Sequence, residues 1–230
     1  MDNFYLGNSC KDTDETSSCF HTLTPEEIEF VNNNKQEIKF LKGEIIVKQG
    51  TKAASIMFLS EGLVKLGIQN SDKNLIISIK PGNHFIGLET LSGVDYMPYT
   101  VTALTNSKIC YLDIPLVRRL MNQNQAFSNE ILRVLNLNTI IVYNRMFSLT
   151  QKQLHGRLAD ILLCLSTKIF KSETFDLPLS RKDLASLTGM APESVIRIMK
   201  DFKTDKLIFT SGKTIQILNE PMLQKISSVG

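Results

Sequence analysis

Cysteine is scarce in this 230-residue chain, and none of its four copies, at positions 10, 19, 110 and 164, belongs to a C-x-x-C pair. A zinc ribbon and a thioredoxin-type dithiol are thereby excluded. No stretch approaches the ~18 consecutive apolar residues that a membrane span requires. The opening MDNFYLGNSCKDTDET lacks a basic end followed by an apolar run, so no secretory signal is expected. Internal repeats and low-complexity tracts are missing too.

What is present describes a folded, soluble chain. Hydrophobic residues make up 43% of it and the mean hydropathy is −0.02, values outside the disordered and fibrous classes. The length suits one or two domains of ~100–200 residues, enough to bury a core without metals or disulfides.

The net charge of +3 gains meaning when it is divided along the chain. Residues 151–230 hold 12 Lys and Arg against 8 Asp and Glu, and residues 1–150 hold 14 against 15. The basic excess therefore lies in the last third, clearest from Ser180 to Lys213. It fits either an anionic partner or an ordinary solvated face.

Two cysteines read as core thiols. Cys110 alternates with Leu112 and Ile114 on one face of a strand-like run, and Cys164 falls among Leu158, Ile161, Leu162 and Leu165 at helical spacing. Cys10 and Cys19, with His21, lie in a polar leader spanning 1–22, expected to be loose. They are ligands or free thiols, and a reducing cytosol favours free thiols.

Beyond the leader, Thr24-Pro25-Glu26-Glu27 reads as a helix N-cap, a first-turn proline and two acids that suit the helix dipole. From Ile38 to about Pro115 short apolar or alternating runs follow: IKFL, EIIVKQ, SIMFL, LVKLGI, LIISI, VTAL and KICYLDI. Glycine and other turn residues separate them, the pattern of an antiparallel sandwich or jelly roll.

Between Phe127 and Leu149 the period turns helical. Leu135, Val142 and Leu149 stand seven apart, flanked by Ile131, Val134, Leu137, Ile141 and Met146. So apolar a helix packs partly on a second subunit, or is buried on its own domain. A further helix is expected over about Gln151 to Ile169, then two helices with a glycine break, then a hairpin around Ser211-Gly212-Lys213.

The strongest local pattern is RKDLASLTGMAPESVIRIMK, Arg181 to Lys200. A helix-turn-helix needs a small residue where its helices cross, a glycine where the turn demands positive φ, and apolar residues facing one core. Ala185, Gly189 and the set Leu184, Leu187, Met190, Val195 and Ile198 meet these needs. Pro192 preorganises the first turn of the second helix. That helix projects Glu193 and Arg197 from one face. A carboxylate can accept from cytosine N4, and a guanidinium can bridge guanine O6 and N7 in a major groove. The alternative is an i,i+4 ion pair on a solvated helix.

On these residues the chain resembles the cyclic-AMP receptor protein and fumarate-nitrate regulator (CRP/FNR) family of bacterial transcription regulators. The segments concerned are KGEIIVKQG (42–50), FLSEGLVKL (58–66), the Pro-Gly at 81–82, FIGLETL (85–91), GRLA (156–159), LSRKDLASLTG (179–189), ESVIR (193–197) and LIFTSGKTIQIL (207–218). The resemblance implies an α+β chain: a cyclic-nucleotide-binding-like β jelly roll over 23–126, a dimerisation helix over 127–149 carrying Ile131, Leu135, Val142 and Leu149, and a winged helix-turn-helix over 150–230. It implies a cytoplasmic homodimer on double-stranded DNA, RNA polymerase as a protein partner, and no membrane association. Glu193, Arg197 and Pro192 would read bases. Ser180, Arg181, Ser194, Ser211 and Lys213 would touch phosphates.

The sensor segment departs from the family. Cyclic-AMP binders resemble one another in a Gly-Glu near the start of a phosphate cassette and an Arg-Ser near its end, since a cyclic phosphate needs a guanidinium and ring hydroxyls need a carboxylate. Here GLETLSGVDYMPYT, Gly87 to Thr100, has Leu88 in place of the glutamate and Met97-Pro98 where Arg-Ser would stand. Glu89 is one residue late and is expected to point elsewhere on an extended segment. Gly87, Leu88, Glu89, Met97, Pro98, Tyr99, Val142 and Tyr143 would line an effector pocket, but the pattern argues against cyclic AMP.

An oxygen-sensing iron–sulfur cluster is not expected either: it needs four cysteine ligands, three of them closely spaced near the amino terminus in the resembling members. Cys10 and Cys19 are too few and are separated by eight residues, and Cys110 is displaced from the family's central ligand by two positions. His84 is conceivable as a haem ligand and is expected instead to be an exposed loop histidine. No metal ligand set or catalytic residue is assigned. A second function stays open at this level: a ligand-binding or enzymatic β-barrel dimerised by its helical C-terminus. No nucleophile–base pair or phosphate loop supports it.

Overall fold

The computed structural model describes residues 18–71 and 73–229, in two compact units that part within one helix, after Thr139. The first begins with a 3-10 turn, Ser18–Thr22, and helix α1 (Pro25–Asn34). The Thr24 hydroxyl accepts from the Glu27 N–H at 3.3 Å, and the Glu27 carboxylate accepts from the Thr24 N–H at 2.8 Å. This closed capping box, with Pro25 at the first turn, starts the helix where TPEE predicted.

Eight strands follow: β1 (Gln36–Phe40), β2 (Ile45–Val47), β3 (Ser55–Glu61), β4 (Leu63–Asn70), β5 (Lys73–Pro81), β6 (His84–Ile86), β7 (Thr100–Ala103) and β8 (Ser107–Asp113). They form two antiparallel sheets, β1-β8-β3-β6 and β2-β7-β4-β5. Helices α2 (Ile114–Gln123) and α3 (Gln125–Gln151) come next.

Strand alternation explains how the first sheet serves two cores. In β3, Met57 and Leu59 point between the sheets to meet Val64, Leu66 and Val101, whereas Ile56 and Phe58 face the helices. A second core there joins Ile56, Phe85 and Leu112 to Val31 of α1, Val117 and Leu120 of α2, and Phe127, Ile131 and Val134 of α3. A strand buried on both faces reads as a continuous apolar run, which is why SIMFL shows no alternation.

Two expectations for this unit are corrected. Residues 18–22 of the leader are docked, not loose. Phe20 packs on Phe58 and Phe85 with ring centroids 5.0 and 5.3 Å away, and Cys19 is fully buried. Cys10 lies outside the described residues. The last β run ends at Asp113, and α2 starts at Ile114 with Pro115 in its first turn. Asn124 separates α2 from α3, its Oδ1 accepting from the Phe127 N–H at 2.9 Å.

The second unit continues α3 into α4 (Leu154–Cys164), a π-helical turn (Leu165–Phe170), strand β9 (Thr174–Asp176), α5 (Arg181–Thr188), α6 (Pro192–Thr204), the hairpin β10 (Ile208–Ser211) and β11 (Thr214–Ile217), and α7 (Glu220–Val229). Strands β10-β11-β9 form a small antiparallel sheet. Leu158, Leu162, Leu184, Val195, Ile198, Phe202 and Leu223 are buried in this unit, drawn from α4, α5, α6 and α7. No helix among the described residues is long and apolar enough to cross a membrane.

Candidate nucleic-acid interface

Helix α5 opens on a second capping box. The Ser180 hydroxyl accepts from the Asp183 N–H at 3.1 Å, while the Asp183 carboxylate accepts from the Ser180 N–H at 2.9 Å and from its hydroxyl at 2.7 Å. The helix ends at Gly189, whose φ of +60° is the left-handed conformation that glycine adopts without cost. The space for a side chain there is tight as well. A Cβ would stand 3.1 Å from Cδ2 of Leu149.

Ala191 then caps α6 in an extended conformation and Pro192 occupies its first turn. Val195, Ile198, Met199 and Phe202 face inward, which turns the opposite side of the helix to solvent. Glu193, Ile196, Arg197 and Lys200 form that outer stripe, all exposed. Glu193 and Arg197 make no ion pair or side-chain hydrogen bond among the described residues, so the i,i+4 pairing is not formed and both groups are available to a ligand. Pro192 and Ser194 are half-buried beside them.

The phosphate candidates lie on elements bordering α6 in sequence and fold. Ser180 and Arg181 are exposed at the N-terminus of α5, and Ser211 and Lys213 flank Gly212 at the tip of the β10–β11 hairpin. The hairpin is held by its neighbour strand: Thr214 donates to Asp176 at 2.6 Å, and the Leu177 N–H donates to the Lys213 carbonyl at 2.9 Å. Backbone tethering leaves the Lys213 ammonium at the surface.

Sequence reasoning missed the polar centre beneath this surface. Asp160 of α4 is buried, and its carboxylate accepts from Lys152 at 2.8 and 2.9 Å, from Ser148 at 2.8 Å, and from Ser227 of α7. Arg157 donates to the Lys152 carbonyl at 2.8 Å and reaches the Thr188 carbonyl at the end of α5 at 3.5 Å. These bonds set the helix-turn-helix on the end of α3. The signal was present as an acid on the apolar face of α4, amid Leu158, Ala159 and Leu162.

In the first unit the cassette candidates are packed rather than open. Leu88, Met97 and Tyr99 are buried, at 1%, 2% and 5% exposure, and Pro98 is exposed. The segment after Gly87 is a 3-10 helix (Leu88–Ser92), not extended, and it turns Glu89 toward Tyr99. The Tyr99 hydroxyl donates to the Glu89 carboxylate at 2.9 and 3.2 Å and accepts from the Gly87 N–H at 3.1 Å. Burial, then the Glu89 charge, push this phenol well above its ordinary pKa, so it remains a donor. Val142 and Tyr143 belong to the other unit and are exposed.

The stripe expected along the long helix is divided. Ile131 is wholly buried in the first unit's own core and Leu135 packs partly against it, so Ile131 leaves the set facing outward. Leu149 is half-buried against Gly189, and Val142 is exposed. Exposed apolar side chains on α3 are Leu132, Ile140, Val142, Tyr143, Met146 and Phe147.

His84 is a correction too: it lies on β6, is buried, and its Nδ1 is 3.1 Å from the Gly82 carbonyl. Burial pushes the Cys19 thiol up to about 11, and Cys110 is buried beside Glu37. Cys164 is half-buried and His21 is exposed. No three His, Cys, Asp or Glu residues gather as a metal site among the described residues.

Comparison with known proteins matches two family models in order, a cyclic nucleotide-binding domain over 37–124 and a Crp-like helix-turn-helix domain over 156–226. The transcriptional activator protein Anr of Pseudomonas aeruginosa is 26% identical over 219 residues, covering 91% of this chain and 88% of that one. The fumarate and nitrate reduction regulatory protein of Vibrio cholerae is 23% identical over 227 residues, covering 96% and 90%. In fold, the chain is similar to FixK2 from Bradyrhizobium japonicum (TM-score 0.78, 17% identity, 85% of this chain and 98% of that one). It is likewise similar to a CooA mutant from Carboxydothermus hydrogenoformans (TM-score 0.75, 18% identity, 96% and 100%).

Proposed function

Since the chain belongs to the CRP/FNR family of transcription regulators, DNA-binding proteins and not enzymes, we propose that it reads a pseudo-palindromic operator as a cytoplasmic homodimer. The observation that carries this reading is the unpaired Glu193 and Arg197 on the exposed stripe of α6. Each recognition helix enters a major groove, Arg197 bridging a guanine and Glu193 accepting from a cytosine. Ser180, Arg181, Ser194, Ser211 and Lys213 hold the phosphates, and Pro192 borders the outer base. The alternative of an enzymatic or ligand-binding barrel finds no support in the relatives, which are transcription regulators.

Two half-sites about 34 Å apart require two copies of α6, and the exposed apolar residues of α3 supply a surface for a second subunit. RNA polymerase is the protein partner we assign. For the sensor we infer a signal other than cyclic AMP. Leu88 and Met97 are apolar and buried where charge would be needed, and Tyr99 already occupies the polar groups of Gly87 and Glu89. Against an iron–sulfur cluster stands the setting of two described cysteines: Cys19 is buried as a thiol in an apolar core, and Cys110 sits on a strand against Glu37. We assign no haem to His84.

Selection of bound duplexes from a fragmented genomic pool tests the reading. A recovered motif with two inverted halves, bound with affinity that falls steeply as salt rises, is the expected result. Recovery without a motif, or a flat salt response, would refute it.

A further inference from the structure

The outer stripe of α6 contains one residue that no charge or hydrogen bond explains. Ile196 is 55% exposed, on a helix whose other large aliphatic side chains are buried or half-covered. Its neighbours on the stripe are Glu193, Arg197 and Lys200, all polar and all exposed. At 100° per residue these four fall within about one third of the helix circumference, with Ile196 and Arg197 at its two edges, about 100° apart, and Glu193 and Lys200 between them. Whatever groove receives Glu193 and Arg197 therefore also receives Ile196.

A branched aliphatic side chain can neither donate nor accept. Against a purine edge or a cytosine amine it would strip water from a polar group and return no partner, which disfavours those bases. The one apolar group on the major-groove floor is the thymine C5-methyl. We propose that Ile196 is a specificity-determining residue that packs on a thymine methyl in each half-site, next to the guanine read by Arg197. The inference rests on the DNA-reading assignment of α6. Ile196 and Arg197 differ by about 1.5 Å of helix rise and base pairs are spaced by about 3.4 Å, so the thymine lies within two base pairs of that guanine.

The test uses the full-length protein and the duplex obtained by selection. Each thymine of the half-sites is replaced in turn by deoxyuridine, which keeps every hydrogen bond and removes only the methyl. Losing one buried methyl corresponds to roughly fourfold in affinity per half-site and about fifteenfold when both are changed. We expect this loss for wild type at one thymine per half-site, within two base pairs of the guanine to which Arg197→Lys becomes indifferent. Ile196→Ala should bind the deoxyuridine and thymine duplexes alike, while Ile196→Val retains the preference.

Ile196 is exposed, so neither change touches the core. A wild-type protein insensitive to deoxyuridine at every thymine, or an Ile196→Ala variant as sensitive as wild type, overturns the inference while leaving DNA reading by Arg197 intact. A selection that returns no motif overturns the DNA-reading assignment itself.

Discussion

In the proposed reading, Arg197 and Lys213 would make the two different kinds of contact on which a DNA reader relies. Lysine keeps the charge of arginine and loses its planar fork, so Arg197→Lys should retain nonspecific affinity and lose ~1–3 kcal/mol of discrimination at one base pair per half-site. Lys213→Ala should weaken every sequence alike and reduce the salt slope by about one unit per protomer. Titrating both variants against the selected duplex and a scrambled one decides the assignment; equal loss on both duplexes for Arg197→Lys would make Arg197 a phosphate contact. In the sensor, Tyr99→Phe removes the hydroxyl bonded to Glu89 and Gly87 and leaves two partly buried polar groups unpaired. Denaturant unfolding should show a loss of about 1–3 kcal/mol.

At the scale of elements, α3 and α4 carry separable duties. Asp160→Asn would leave the Lys152 ammonium, itself only 10% exposed, without its counter-charge. The expected cost is about 3–5 kcal/mol, read as a lowered unfolding midpoint of the C-terminal unit in the full chain. The exposed residues of α3 act differently: Met146, 65% exposed, belongs to the surface assigned to the second subunit. Met146→Asp should leave far-ultraviolet circular dichroism unchanged while sedimentation shows monomers that no longer hold the full operator. A Met146→Asp protein that stays dimeric would move the interface elsewhere. Ile131→Asp would be uninformative, because a charge there destroys the core of the first unit.

For the whole molecule, calorimetric titration with cyclic AMP should give no saturable heat at micromolar protein. The jelly roll is intact, but the groups that would hold phosphate and ribose are replaced by Leu88, Met97 and Pro98, and the remaining polar atoms are engaged by Tyr99. Saturable binding would mean that other side chains had taken over.

How much of this was legible in sequence depended on whether the cue was local. The helix-turn-helix was, because a small residue at the helix crossing, a positive-φ glycine, a first-turn proline and a 3.6-residue apolar period all act within a few residues of one another. The strand runs were legible for the same reason, apart from β6 and β9, each three residues long and too short to present an alternation. Helices α2 and α7 went unread, since short amphipathic segments declare themselves only against the surface that receives them.

Local chemistry in the sequence thus determined the run of short strands, the long apolar helix and the helix-turn-helix pair, whereas the division into two units falls within α3, after Thr139, and not at either end of that helix. Tertiary structure alone decided which apolar residues of α3 are spent on the domain's own core and which face outward. It also decided that Glu89 meets Tyr99, that Asp160 is paired, and that residues 18–22 are docked. Asp160, for example, accepts from Ser227, 67 residues further along the chain, and no periodicity within one segment encodes a neighbour that distant.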